Sequence, residues 1–176
     1  MRVKTIQLCV YLSLLLCFSA CKKDSGEGQT TSEKIQVETA QLENFLEEEF
    51  QKDLEESPML QTRLGIKDNY NSWDDFSHLR YAEDLKKAKR RLDFLKKEID
   101  ESALEGQAAL SYKLYRQKLE NEIEDYDFRL YNYPVNQMFG VHAQLPAFLI
   151  NMHKIDSLSD AKSYIARLKK MPGVME

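Results

Sequence analysis

Beyond Cys21 the sequence contains no cysteine. The three thiols, at Cys9, Cys17 and Cys21, fall in the opening segment, so the rest of the chain has none for a disulfide, a thiolate metal site or a cysteine nucleophile. Histidine is nearly as scarce. A zinc protease needs two imidazoles about one helical turn apart on the same ion, whereas His78, His142 and His153 are scattered and none sits in an H-E-x-x-H. The six glycines form no G-x-G-x-x-G, P-loop or G-x-S-x-G elbow. No catalytic residue and no metal ligand can be assigned from these patterns. With only four prolines and 43% hydrophobic residues, the chain is not of the disordered type. A net charge of −4 argues against a nucleic-acid partner. No stretch alternates with period two, so no sheet is expected.

The N-terminus does carry a signal. Arg2 and Lys4 precede the apolar run "IQLCVYLSLLLCF", which has signal-peptide length and is too short for a good membrane span. Ser19 and Ala20 then precede Cys21, and "FSAC" resembles the lipobox of bacterial lipoproteins, in which the cysteine becomes the lipidated first residue. An uncleaved anchor and an ordinary secretory signal are the alternatives. On the lipoprotein reading residues 1–20 are the signal peptide, and residues 21–31 are lipidated Cys21 plus a flexible tether built on "KKDSGEGQTTSEK". Losing Arg2 and Lys4 takes the formal charge from −4 to −6. Acyl chains bury CH₂ groups at about 0.8 kcal/mol each, enough for stable anchoring when several share one cysteine. Lys22 after the cysteine resembles lipoproteins sorted to an outer membrane, so the expected location is the exported face of a bacterial envelope.

Residues 32–176 read as helical. In "SEKIQVETAQLENFLEEEFQKDLEE", Leu42, Phe45, Leu46, Phe50 and Leu54 recur at three and four. "ESPMLQTRLG" offers Ser57 as an N-cap, Pro58 at the first helical position and Gly65 for the left-handed residue after the end. A third segment carries Ala82, Leu85, Ala88, Leu92, Leu95 and Ile99, and a fourth Ala108, Tyr112, Tyr115, Leu119, Ile123, Tyr126 and Leu130. These two long segments predict an antiparallel hairpin with the first helix alongside, followed by short C-terminal helices. The fold class is all-α, as part of a larger helical fold. The basic run "KKAKRRLDFLKK" and the acidic run Glu47, Glu48 and Glu49 read as solvated helix surface.

One stretch differs from its surroundings. Residues 130–153, "LYNYPVNQMFGVHAQLPAFLINMH", contain no charged side chain, although 31% of the chain is charged. Two prolines and several amides exclude a membrane span. The stretch is either buried connective structure, which its composition favours, or the wall of a cleft lined by Asn136, Gln137, His142 and Gln144. Tyr131, Tyr133, Phe139, Phe148 and Leu149 lie past the end of the predicted hairpin and need another partner.

These residues carry a resemblance. Ser57-Pro58, Thr62, Leu64-Gly65, Tyr133-Pro134, Asn136-Gln137, Gly140, His142, Leu145-Pro146 and Phe148-Leu149 follow the order and rough spacing of the N-terminal region of a bacterial family named domain of unknown function 885. The resemblance covers nearly all of the chain after the tether. It implies a mostly helical, exported, metallopeptidase-like protein of several hundred residues, often a lipoprotein. Its metal signature, a His-Glu followed by Pro-Gly-His-His, lies downstream of the matched region. Zinc is therefore implied for a full-length relative, and no cofactor is assigned to this chain.

Two functions stay open on this reading. The first is the N-terminal segment of a lipid-anchored, zinc-metallopeptidase-like protein, inactive alone, whose partner is a missing C-terminal catalytic portion and whose full form would take peptides. "MPGVME" then reads as an interruption after a Pro-Gly helix stop. The second is a small helical lipoprotein acting as a binding or structural module. Genomic sequence beyond Glu176 separates them. The anchor has its own test: Cys21→Ala should abolish incorporation of labelled fatty acid and leave the precursor uncleaved by the lipoprotein-specific peptidase, whereas normal processing without lipid would exclude a lipoprotein.

Overall fold

The computed structural model describes residues 30–131, 133 and 135–175. The predicted signal peptide and Cys21 lie outside the described residues. The described residues form six α-helices: α1 (Thr31–Glu55), α2 (Pro58–Arg63), α3 (His78–Glu98), α4 (Gly106–Asp125), α5 (Val141–Asn151) and α6 (Leu158–Met175). Single 3₁₀ turns at Glu101–Ala103 and Tyr126–Phe128 sit at either end of α4. No strand occurs among the described residues, and the all-α expectation holds.

The expected hairpin is formed by α3 and α4. Its antiparallel sense shows where the first turns of α3 and the last turns of α4 line one cleft, and the Tyr112 hydroxyl to the Leu95 carbonyl and Lys96 to Glu120 join the two helices along their length. Helix α1 lies antiparallel to α3, since Lys34 meets Asp100 at one end while Glu56 meets Arg80 and Lys87 at the other. The three helices close on Leu42, Phe45, Ala88, Leu95, Ile99, Leu104, Tyr112 and Leu119, with Phe45 stacked on Phe94 at 4.3 Å. Periodicity located most of these residues.

It also erred in an instructive way. Phe50 is 43% exposed, and the inward place beside Phe45 belongs to Glu49, only 2% exposed. Glu49 lies four residues after Phe45 and seven after Leu42, so it shares their stripe. Its carboxylate accepts from Arg90 at 2.8 Å, Arg91 at 2.6 Å and Lys52 at 2.8 Å, while Arg91 also forks onto Asp53 at 2.6 and 3.0 Å. Arg91 is itself buried and on the stripe between Ala88 and Leu95. Thus two charges read as surface are part of the helix interface. Burying an ion is tolerable only when its hydrogen bonds are met, and here each carboxylate oxygen of Glu49 has a donor.

A second cluster lies apart from the first. Met59 of α2, Trp73 of the following loop and Leu145, Phe148 and Leu149 of α5 are buried together, with Tyr164, Met171 and Val174 of α6 packed on them. Phe148 and Leu149, expected to lack a partner, find one here. Ser57 and Pro58 hold the predicted N-cap and first-turn places, but the Ser57 hydroxyl makes no cap bond. Asp74 performs that task instead, accepting from the Met59 N–H at 2.8 Å. Gly65 has φ +82, as a left-handed helix terminus requires. Helix α6 runs through Pro172 and Gly173 to Met175 rather than stopping there. Pro172 removes one bond, to the carbonyl of Leu168, an exposed residue whose carbonyl water can satisfy.

The Glu49 network sets an acid limit on the three-helix core. Burial raises the carboxyl's pKa, but hydrogen bonds from Arg90, Lys52 and Arg91 outweigh it and hold it at about 2 against the usual 4.5. The folded value being the lower, this stabilisation is complete above pH 4.5 and is lost as pH falls toward 2. Glu49→Ala leaves the buried Arg91 Nε–H without its acceptor, with only Asp53 still on the guanidinium, and should cost about 3 kcal/mol in urea unfolding. A loss below about 0.5 kcal/mol would show that the network is solvated.

Candidate functional site

A cleft of about 960 Å³ opens at the end of the α3–α4 hairpin. The first turns of α3 and the last turns of α4 form two walls, and the segment after α4, the start of α5 and the end of α6 complete it. Ser77 sets the start of α3 by accepting from the Arg80 N–H, and Asp75 accepts from the Ser77 N–H. The floor is polar but already paired: Arg91 is held by Glu49 and Asp53, Arg80 by Glu56 and Asp84, and Lys118 by Glu122. Arg129 curls back to donate to the Tyr126 carbonyl at 2.8 Å and lies 4.1 Å from the centre of the Tyr126 ring. Phe76, Tyr81, Leu130, Val135, Val141 and Val174 supply apolar walls. The cleft can therefore hold a partly apolar guest, and most of its charge is neutralised internally.

Of the uncharged stretch, Leu130, Val135, Val141 and His142 edge the cleft as its rim, while Leu145, Phe148 and Leu149 are buried in the second cluster. Helical periodicity ends at Asp125, earlier than the expected extension to Leu130, and the chain then turns. Asn136 organises the tip of the following loop: its side-chain oxygen accepts from the Met138 and Phe139 N–H groups at 2.9 and 2.7 Å, and its own N–H donates to the Phe139 carbonyl. An isolated antiparallel bridge joins Val135 to Gly140, whose φ of +150 favours glycine. Of the four residues expected to line a cleft, His142 lines this one. Asn136, Gln137 and Gln144 are exposed and are not among its lining residues. Phe128, Leu130, Tyr131, Tyr133, Val135, Met138 and Phe139 are all exposed, Tyr133 to 83%.

What holds the α5–α6 wall in place is Arg167, at 0% exposure. Its Nε donates to the Ser72 carbonyl at 2.8 Å, and its Nη2 donates to the Thr62 hydroxyl at 2.8 Å and the Pro58 carbonyl at 3.2 Å. Its Nη1 lies 3.1 Å from His153 Nδ1. A guanidinium has no acceptor, so His153 must accept at Nδ1; Nε2, 3.1 Å from the Asp160 carbonyl, must then carry the proton. The buried ring is thereby fixed as one neutral tautomer. Burial and, to a lesser degree, Arg167 hold its pKa below the usual 6.5. Tyr70, Trp73 and Phe148 present their rings to the guanidinium at 5.2 to 5.5 Å. All four hydrogen-bond partners of Arg167 are uncharged, and Asp74 supplies the nearby negative charge.

The periodic signal for Arg167 was present: Tyr164, Arg167, Met171 and Val174 are spaced by three, four and three. Its charge concealed its burial. Among the described residues no group of three or more His, Cys, Asp or Glu is placed to hold a metal. His153 has both nitrogens engaged, and His78 and His142, the two histidines lining the cleft, have no third ligand gathered with them. The described residues do not fit a zinc site, and no step is assigned to one.

No curated protein and no solved structure matches the chain. Residues 58–176 match the model of a family described as "Bacterial protein of unknown function (DUF885)". The matched region runs from α2 to the end of α6 and so contains the hairpin, the whole Arg167 cluster and every residue lining the cleft except Asp53 and Ser57. It spans more than half of the sequence, and the chain belongs to this bacterial family.

Proposed function

We propose that residues 32–176 are the helical N-terminal portion of a larger, exported, lipid-anchored protein of metallopeptidase-like character. In this reading they serve as a structural wall of its substrate cleft, without a catalytic centre of their own. The observation that carries it is the exposure of Phe128, Leu130, Tyr131, Tyr133, Val135, Met138 and Phe139, of which Leu130 and Val135 line the cleft. Burying one such side chain is worth about 1.5 to 3 kcal/mol, and a monomer rarely leaves a contiguous apolar patch of this kind uncovered. The rim carries no charge from Leu130 onward, so a second helical layer can cover it without desolvating an ion. Zinc and peptide would belong to the portion that covers it.

The test uses residues 22–176 in solution. They should be helical, bind a hydrophobic dye or self-associate, and be cut by protease first within residues 128–139, while α5 and α6 resist. Changing Tyr133 and Phe139 together to Ser should suppress dye binding without lowering helicity. A compact monomer that binds no dye, with amides of residues 128–139 as protected from exchange as those of α4, would refute the docking role and favour a self-contained binding module.

A further inference from the structure

The two clusters of this fold compensate buried charge differently, and the second includes a titratable acceptor, His153. It sits in the turn between α5 and α6, is buried, and stacks on Tyr70 at 3.9 Å. Its Nδ1 has one occupant, the Arg167 N–H, and its Nε2 has another, the Asp160 carbonyl. A proton arriving from solvent can enter only at Nδ1. It then removes the acceptor of Arg167 and sets two cations in contact inside a cluster that has no carboxylate bonded to either. We propose that His153 and Arg167 form an acid-released latch, in which protonation of the ring frees the α5–α6 pair from α2 and the loop after it and so displaces one wall of the cleft.

The coupling to the cleft is direct. Val141 and His142 at the start of α5 and Val174 near the end of α6 line it, and the same two helices are fastened to α2 and the loop through Arg167. The groups facing His153 come from two elements. From the loop come Tyr70 and Lys67; from α6 come Arg167, Asp160 and Tyr164, with Lys67 bridging Asp160 and Asp156. Asp74 lies near Arg167 and is bonded to the Met59 N–H.

The carboxylates of Asp74, Asp160 and Glu49 respond to acid differently from His153. Burial raises Asp74 above its usual 3.8, so its protonation favours the folded form as pH falls. The hydrogen bond from Lys67 holds Asp160 below 3.8, outside the histidine range. Glu49 keeps its charge down to about 2, which leaves the three-helix core intact over that range. For His153 the folded pKa is the lower one. Its contribution is therefore complete above 6.5 and is lost as pH falls from 6.5 through the folded value.

Trp73 reports the event, being the single tryptophan of the chain, buried in this cluster, and donating its indole N–H to the Arg167 carbonyl at 2.9 Å. The experiment follows its emission in the full chain in mild detergent from about pH 7.5 to about pH 5, a range set by the histidine titration, alongside far-ultraviolet circular dichroism. The latch requires a red shift with a midpoint below 6.5 while most helicity is retained. His153→Gln, whose amide can accept from Arg167 and donate to Asp160, should keep the neutral-pH emission and abolish the shift. Emission that stays constant in the wild type, or a shift that survives in His153→Gln, overturns the proposal. Should His153→Gln fail to fold, the wild-type ring resonance of His153 decides: its titration must coincide with the Trp73 transition, and a separate midpoint overturns the latch.

Discussion

Burial of the Arg167 guanidinium without a carboxylate bonded to it is the constraint around which the second half of this molecule is arranged. A cation removed from water must recover its hydrogen bonds, and it can do so through dipoles as well as through anions. The Pro58 and Ser72 carbonyls, the Thr62 hydroxyl and the lone pair of a neutral His153 make that set. Each belongs to α2, the loop after it or the α5–α6 turn, so satisfying one side chain of α6 fixes three chain segments that are distant in sequence. The ring faces of Tyr70, Trp73 and Phe148 complete the enclosure, and their quadrupoles favour the positive charge they surround.

The two clusters thus rely on different electrostatics. Between α1 and α3, burial of Glu49 and Arg91 is matched charge for charge, which yields a core insensitive to pH above the carboxylate range. Around Arg167 the compensation is dipolar and includes one titratable acceptor. The cleft lies where these two regions meet, with Arg91 in its floor and Val174 in its wall. The cleft is thus held on one side by paired charges and on the other by dipoles around a single guanidinium.

Much of the architecture was legible because hydrophobic period and helix period coincide. Leu42, Leu95 and Leu119 fall on clear stripes and all reach the core. Glu49, Arg91 and Arg167 occupy the same registers, yet whether a charge on a stripe is buried depends on a partner that periodicity does not reveal. For Phe148 and Leu149 the missing information was again tertiary: Met59 and Trp73 cover them across a long span of chain. Among the residues read as rim or cleft, His142 lines the cleft, while the side chain of Asn136 is spent on its own loop. Short Asx-type bonding of that kind competes with any outward role for the amide, and the identity of the residue alone does not say which use prevails.

The most direct test of this account is hydrogen exchange on Arg167→Met, which keeps the volume and apolar stem of the side chain and removes its donors. Four acceptors then lose the guanidinium donor inside the second cluster, while the α1–α3–α4 interface is untouched. Protection should collapse at the Trp73 indole and across α5 and α6, and should persist in α4 around Tyr112 and Leu119. Equal loss in both regions, or a Trp73 indole as protected as in the wild type, would contradict the claim that this one guanidinium holds the second cluster together.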